Sequence, residues 1–98
     1  MMNNKIRSSL SLAMKAGKIK SGEFAVKKAF DSGLAQLIVI DSEASDATKK
    51  RWREACEYKE VPFMEAETPG QAIGRDNIMT ICVVSADFAR MILDANRI

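Results

Sequence analysis

The sequence predicts an α/β protein, a three-layer α/β/α sandwich around a small mixed sheet of about four strands. Three observations carry this reading. Segments with apolar residues at three- and four-residue spacing alternate with short, continuous apolar runs, the mark of strands buried on both faces. The connections between them are two to six residues long. Gly and Pro fall at the joints rather than inside the periodic segments. A chain that alternates helix and strand in this way covers both faces of its sheet with helices.

Taken in order, Asn3 or Asn4 can cap a first helix in which Ile6, Leu10, Ala13 and Met14 line the apolar face, Lys5, Arg7 and Lys15 the basic one, with Gly17 as the stop. Lys18 to Ser21 is short and extended. A second helix runs from about Glu23 to Ser32, with Val26, Ala29 and Phe30 as its stripe and Gly33 as its end. Phe24 falls off that stripe, so it is either a core anchor at the helix entrance or an exposed contact residue. Gln36 to Ile40 is a core strand, and Asp41 to Ser45 a polar loop whose end caps a third helix through Ser45 or Asp46. Ala47, Ala55 and Cys56 mark the buried side of that helix, with Trp52 flanking it; Lys49, Lys50, Arg51, Arg53 and Glu54 mark the wet side. Val61 to Met64 is a second core strand, its Pro62 suited to an edge or an early strand position. Thr68 can cap a short helix that carries Pro69 at its first position and ends near Ile73 and Gly74. Arg75 to Asn77 is a turn, Met79 to Val84 another buried strand. A final helix starts at Ser85 or Asp87 and buries Phe88, Met91, Ile92 and Ala95.

Ninety-eight residues fit one domain, residues 1–98, and a chain of this size buries roughly 60 to 70 per cent of its unfolded surface. With 47% hydrophobic and 29% charged residues, the composition is that of a globular protein. No apolar run approaches the roughly 20 residues of a membrane helix, and Met1 to Leu10 lacks the apolar core of a signal peptide, so a cytoplasmic protein without a membrane partner is expected. The chain has no histidine, and its two cysteines, Cys56 and Cys82, lie far apart at positions that read as buried. Histidine-dependent catalysis and the usual metal sites lose their residues, and no cofactor is expected.

The net charge of +2 conceals a strong asymmetry. Residues 1–28 carry seven basic side chains against Glu23 alone, a balance of +6, so the other seventy residues sum to −4. One side of such a domain attracts a polyanion while the rest resists indiscriminate binding. The stretch from Ala16 to Ala29 concentrates that charge: Gly17 closes one helix, Ser21 or Gly22 opens the next, and Lys18, Lys20, Lys27 and Lys28 surround the junction. Unpaired amides at a helix N-terminus with ammonium groups beside them suit a phosphate. No Gly-Lys-Ser/Thr follows, so a nucleotide-binding P-loop is not supported, and a nucleic-acid backbone is the better anion. The competing reading is a solvated loop with ordinary surface lysines.

Ala16-Gly17-Lys18-Ile19-Lys20-Ser21-Gly22 leading to Lys28-Ala29, then Leu37-Ile38-Val39-Ile40-Asp41, Val61-Pro62 and Gly70-Gln71-Ala72-Ile73-Gly74-Arg75 are, in that order and spacing, similar to the kink-turn RNA-binding ribosomal protein family, and within it to its short bacterial members. The resemblance covers the chain from about Lys5 to Leu93. It implies an α/β/α sandwich that recognises a sharply bent RNA helix at its kink. Family members set the N-terminus of their second helix against the RNA, where Gly-x-Asn-Glu-x-x-Lys reads sheared G·A pairs. Aligned without gaps, Gly22 falls on the glycine and Lys28 on the lysine, but Phe24 and Ala25 fall on the Asn and Glu. That departure removes direct base readout, leaving phosphate contact through Lys18, Lys20 and Lys28, with Glu23 next to the missing carboxylate. The family's second RNA-facing loop corresponds to Arg75, Asp76, Asn77 and Ile78, where Ile78 and Met79 can offer an apolar edge to an extruded base. Glu65 and Glu67 stand where kink-turn readers often carry lysine.

The expectation is therefore a monomeric, non-catalytic binder of structured, kink-turn-like RNA, with ribosomal RNA and the ribosome as candidate partners. Its expected RNA-binding residues are Lys18, Lys20, Gly22, Glu23, Phe24, Lys28, Arg75, Asn77 and Ile78. The alternative keeps the fold as a ribosome- or protein-associated module that has lost base-specific readout. An enzyme would draw on Asp41, Ser42 and Asp46 after the first core strand, but the sequence offers no nucleophile and base to accompany them.

Overall fold

In a computed structural model, which describes residues 4–96, the alternating pattern becomes nine elements. They are α1 (Asn4–Lys15), β1 (Ile19–Ser21), α2 (Glu23–Asp31), β2 (Leu37–Asp41), α3 (Asp46–Lys59), β3 (Phe63–Ala66), α4 (Pro69–Ala72), β4 (Thr80–Val83) and α5 (Ala86–Asn96). The strands form one mixed sheet in the order β1-β4-β2-β3. β4 is antiparallel to both of its neighbours, and β2 and β3, joined through α3, run parallel.

Strand side chains alternate between the faces, and each face has its own helical cover. Leu37, Val39, Ile81, Val83, Met64 and Ala66 pack with α1, α4 and α5. Ile38, Ile40 and Cys82 pack on the other side with Val26, Ala29 and Phe30 of α2 and with Trp52 and Cys56 of α3. Every residue of β2 and β4 is buried, as the continuous apolar runs require. The α/β/α sandwich expected from the sequence is the fold observed.

Local expectations differ in instructive ways. Trp52 is central to the α2–α3 layer rather than flanking it, packed edge-on against Phe30 with ring centroids 5.4 Å apart, while Ala47 is exposed. Ser45 caps α3 by accepting a hydrogen bond from the Thr48 amide at 3.1 Å. β3 starts at Phe63, not Val61: Pro62 has no N–H for the ladder, and only its carbonyl joins the sheet, accepting from the Ile38 amide. Thr68 does not cap α4 through its side chain; it takes a left-handed φ of 42°, and Pro69 opens the helix behind it. On α5 Ala89 is buried and Met91 is exposed, because the helix turns its small residue toward the sheet. A cap at Asn3 lies outside the described residues.

Candidate nucleic-acid interface

β1 is an edge strand that delivers the chain into α2, and Gly22 makes the corner. Its φ of 87° is strained for any residue with a side chain. Its N–H donates to the Thr80 carbonyl at 3.0 Å, and its own carbonyl accepts from Val26 at 3.0 Å, starting the helix. No side chain caps α2, so the first-turn amides point outward without a side-chain partner.

The Gly22–Thr80 bond also fixes the second predicted segment. Thr80 opens β4, and Arg75 to Met79 lead directly into it. The Asp41 amide, at the end of β2, donates to the Met79 carbonyl at 2.8 Å. The start of α2, the end of β2 and the 75–79 loop therefore meet at one end of the sheet. That loop is held by the Arg75 amide, which donates to the Gly70 carbonyl at 2.8 Å, and by Asn77 at a positive φ of 61°. Gly70 lies so close that an added Cβ would overlap the Arg75 carbonyl oxygen and touch Ile78. Arg75 and Asn77 are exposed, while Ile78 is half-buried against the α1/α4/α5 core. Beside them lies a cavity of about 200 Å³ lined by Asp41, Gly70, Arg75, Asn77, Ile78 and Met79 among others.

The cations divide. Lys18 and Lys20 are exposed along β1. Ile19 packs into the α1/α4/α5 core, so by alternation Lys20 projects toward the α2 side of the sheet. Phe24 is 84% exposed, which excludes the core role, and Lys28 stands four residues on along the same helix face. Lys28 is in the last turn of α2, away from the uncapped amides. Lys27 is drawn off to Asp31, 3.0 Å away.

Glu23, expected among the RNA-binding residues, is partly exposed and engaged by side chains of α3 and β4. Its Oε1 accepts from Arg51 Nη2 at 2.8 Å, Thr80 Oγ1 at 3.2 Å and Trp52 Nε1 at 3.3 Å. Arg51 thereby joins the start of α2. Nothing local in the sequence marks that pairing, since the two residues are 28 apart.

With this geometry in view, the "Ribosomal protein L7Ae/L30e/S12e/Gadd45 family" matches residues 4–91. The chain belongs to that family. It is 31% identical over 87 residues to the RNA-binding protein YlxQ of Bacillus subtilis (strain 168), an alignment covering 86% of this chain and 87% of that one. It is 36% identical over 70 residues to the RNA-binding protein YlxQ of Enterococcus faecium, covering 67% of each. Among solved structures, a protein of unknown function from Bacillus halodurans C is similar with a TM-score of 0.91 at 29% identity, covering 98% of this chain and all of that one. The Giardia lamblia 15.5kD RNA binding protein shares the fold, with a TM-score of 0.75 at 19% identity over 95% of this chain and 86% of that one.

Other groups in this L7Ae/L30e family member have structural duties. Asp41 is buried, and its Oδ1 accepts from the Glu43 amide at 2.8 Å, closing the turn after β2. The Ser42 amide donates to the Ala66 carbonyl at 2.9 Å. Burial pushes the Cys56 thiol up to about 11 and the Cys82 thiol up to about 12, the latter helped by the nearby Cys56, so both stay protonated at neutral pH. Among the described residues, no helix is long and apolar enough to cross a membrane, and no group of three or more His, Cys, Asp or Glu could hold a metal ion.

Proposed function

We propose that this chain is a non-catalytic RNA-binding domain that docks on structured, kinked RNA, with ribosomal RNA as the candidate target. The observation that carries the reading is the Gly22–Thr80 hydrogen bond, which sets the uncapped start of α2 beside the 75–79 loop. Amides and lysines on this surface suit phosphates, exposed Phe24 offers a ring on which an unpaired base can stack, and Ile78 and Met79 border a recess for another. The printed names of the YlxQ relatives support an RNA partner. Lys18, Lys20, Gly22, Phe24, Lys28, Arg75, Asn77 and Ile78 form the contact set in this proposal, acting in the cytoplasm as a monomer.

A second reading is favoured by one observation: Phe24 and Ala25 stand where the family resemblance expects Asn and Glu, so backbone affinity persists while base discrimination is reduced. One titration decides between them, comparing a kink-turn duplex with the same duplex whose G·A pairs are replaced, at fixed salt. The first reading expects tighter binding to the intact kink-turn; equal affinities support the second. Absence of binding to either duplex removes both.

A further inference from the structure

We infer that Arg51, on α3, is an additional RNA-phosphate contact of this site, and that Glu23 is the positioning residue that holds it there. The inference rests on the RNA-binding reading above and adds to it a cation on the opposite flank of α2. Lys20 lies on the β1 side of the first turn of α2, and Arg51 on the α3 side. The Arg51 side chain is 60% exposed, and its bond to Glu23 occupies Nη2. A guanidinium carries five N–H donors in a rigid fork, so this one leaves donors directed away from Glu23 and available to a phosphate.

The geometry of the carboxylate argues that the pair exists for placement rather than stability. Oε1 of Glu23 already accepts from Trp52 Nε1 and Thr80 Oγ1, donors on the elements that flank α2, and two bonds fill the lone pairs of one oxygen. Those two bonds suffice to fasten the first turn of α2 to α3 and β4. Arg51 adds a third to the same oxygen at 2.8 Å, the shortest of the set. An ion pair this exposed contributes little to folding. What it does is draw a flexible cation across the gap between α3 and α2 to the side chain of Glu23, in the first turn of α2. The residue nominally misplaced for an anion site, a glutamate at its centre, thus serves to bring a second charge to its rim.

The test is a set of dissociation constants for a kink-turn duplex measured across a salt series for wild type, Arg51→Ala, Glu23→Gln and the double variant, with Lys20→Ala and Lys28→Ala as controls. Arg51→Ala should weaken binding about five- to eightfold near 0.1 M salt and flatten the log–log salt slope by about 0.7 to 0.9, one phosphate's worth, with an unchanged melting temperature. Glu23→Gln keeps an acceptor for Trp52 and Thr80 but loses the charge that draws Arg51. It should therefore weaken binding even though it removes a negative charge from an anion site. In the Arg51→Ala background the same change should instead tighten binding, because only the repulsion remains to be relieved. That reversal of sign is not produced by a merely structural Glu23. If Lys20→Ala and Lys28→Ala weaken binding while Arg51→Ala does not, or if Glu23→Gln tightens binding in both backgrounds, this inference is overturned and the RNA-binding reading stands. If wild type does not bind the duplex, both fall.

Discussion

Phe24 and Gly70 are single residues whose surroundings make opposite demands. Phe24 is 84% exposed in the first turn of α2, so its ring gains almost nothing from folding. Truncating it as Phe24→Ala should leave stability within about 0.5 kcal/mol, as for other exposed positions, while a stacked base loses about 1 to 3 kcal/mol of binding. Thermal melting and RNA titration on the same samples separate the two effects, and a fall in melting temperature with normal affinity would return Phe24 to a packing role. Gly70 is the reverse case. Its missing Cβ is what lets Arg75 and Ile78 close over α4. Gly70→Ala must push the 75–78 loop outward, so a loss of about 1 to 3 kcal/mol in denaturant unfolding is expected, with weaker RNA binding in the protein that remains folded. The sequence displayed the candidate site as residue types, glycine corner, lysines and an off-stripe phenylalanine, and these were legible. The engagement of Glu23 was not, because Arg51, Trp52 and Thr80 reach it from 28 to 57 residues away, and no local pattern encodes such contacts.

At the scale of elements, β1 and α2 act as one unit, the edge strand presenting Lys20 beside a helix that presents Phe24 and Lys28. Lys20→Ala and Lys28→Ala should each weaken binding to any RNA sequence and reduce the log–log salt slope by about 0.7 to 0.9; an unaltered slope for both would take phosphate contact away from this unit. The layer beneath it supplies a pH dependence. Both thiols of the α2–α3 core hold their protons to about 11 and 12, against an ordinary value of 9.0 once unfolded. Their contribution is whole below pH 9 and is lost as pH rises toward those values, because the unfolded chain releases protons that the folded chain retains. The slope reaches about 1.4 kcal/mol per pH unit for each thiol. Denaturant midpoints between pH 8 and 10.5 should therefore fall more steeply for wild type than for Cys56→Ala with Cys82→Val; parallel curves would contradict the buried-thiol account. Elements with long apolar periods, α1, α2, β2, β4 and α5, were readable within a residue or two. β3 was misread at its start because apolarity alone marks Val61, whereas the ladder needs an N–H that Pro62 lacks. Strand order was beyond reach, since β1 pairs with β4 across most of the chain and nothing near β1 announces it.

Across the whole molecule the sheet order separates charge. β1 and its lysines form one edge; β3 forms the other, with α3 packed beside it. Glu65 on β3 is occupied by Lys49 at 3.3 Å and Arg53 at 3.4 Å, but Glu57 and Glu60, at the end of α3 and just after it, are exposed. The molecule extends 29 × 25 × 24 Å, several times the Debye length of about 8 Å at physiological salt. Glu57 and Glu60 follow Arg51 by six and nine residues, about 9 and 13 Å along the helix, so they hardly weaken RNA held at the β1 edge; they act on RNA that arrives at the wrong side, and so favour one docking orientation. Glu57→Gln and Glu60→Gln together raise the net charge from +2 to +4 without touching the proposed contacts. At about 0.15 M salt the double variant should bind a kink-turn within about twofold of wild type and bind a plain RNA duplex severalfold more tightly, lowering the ratio between them. The paired titrations are decisive in either direction. If both affinities rise by the same factor, the acidic residues act on bound RNA at long range, and the division of charge between the two sheet edges has no part in selecting where RNA docks.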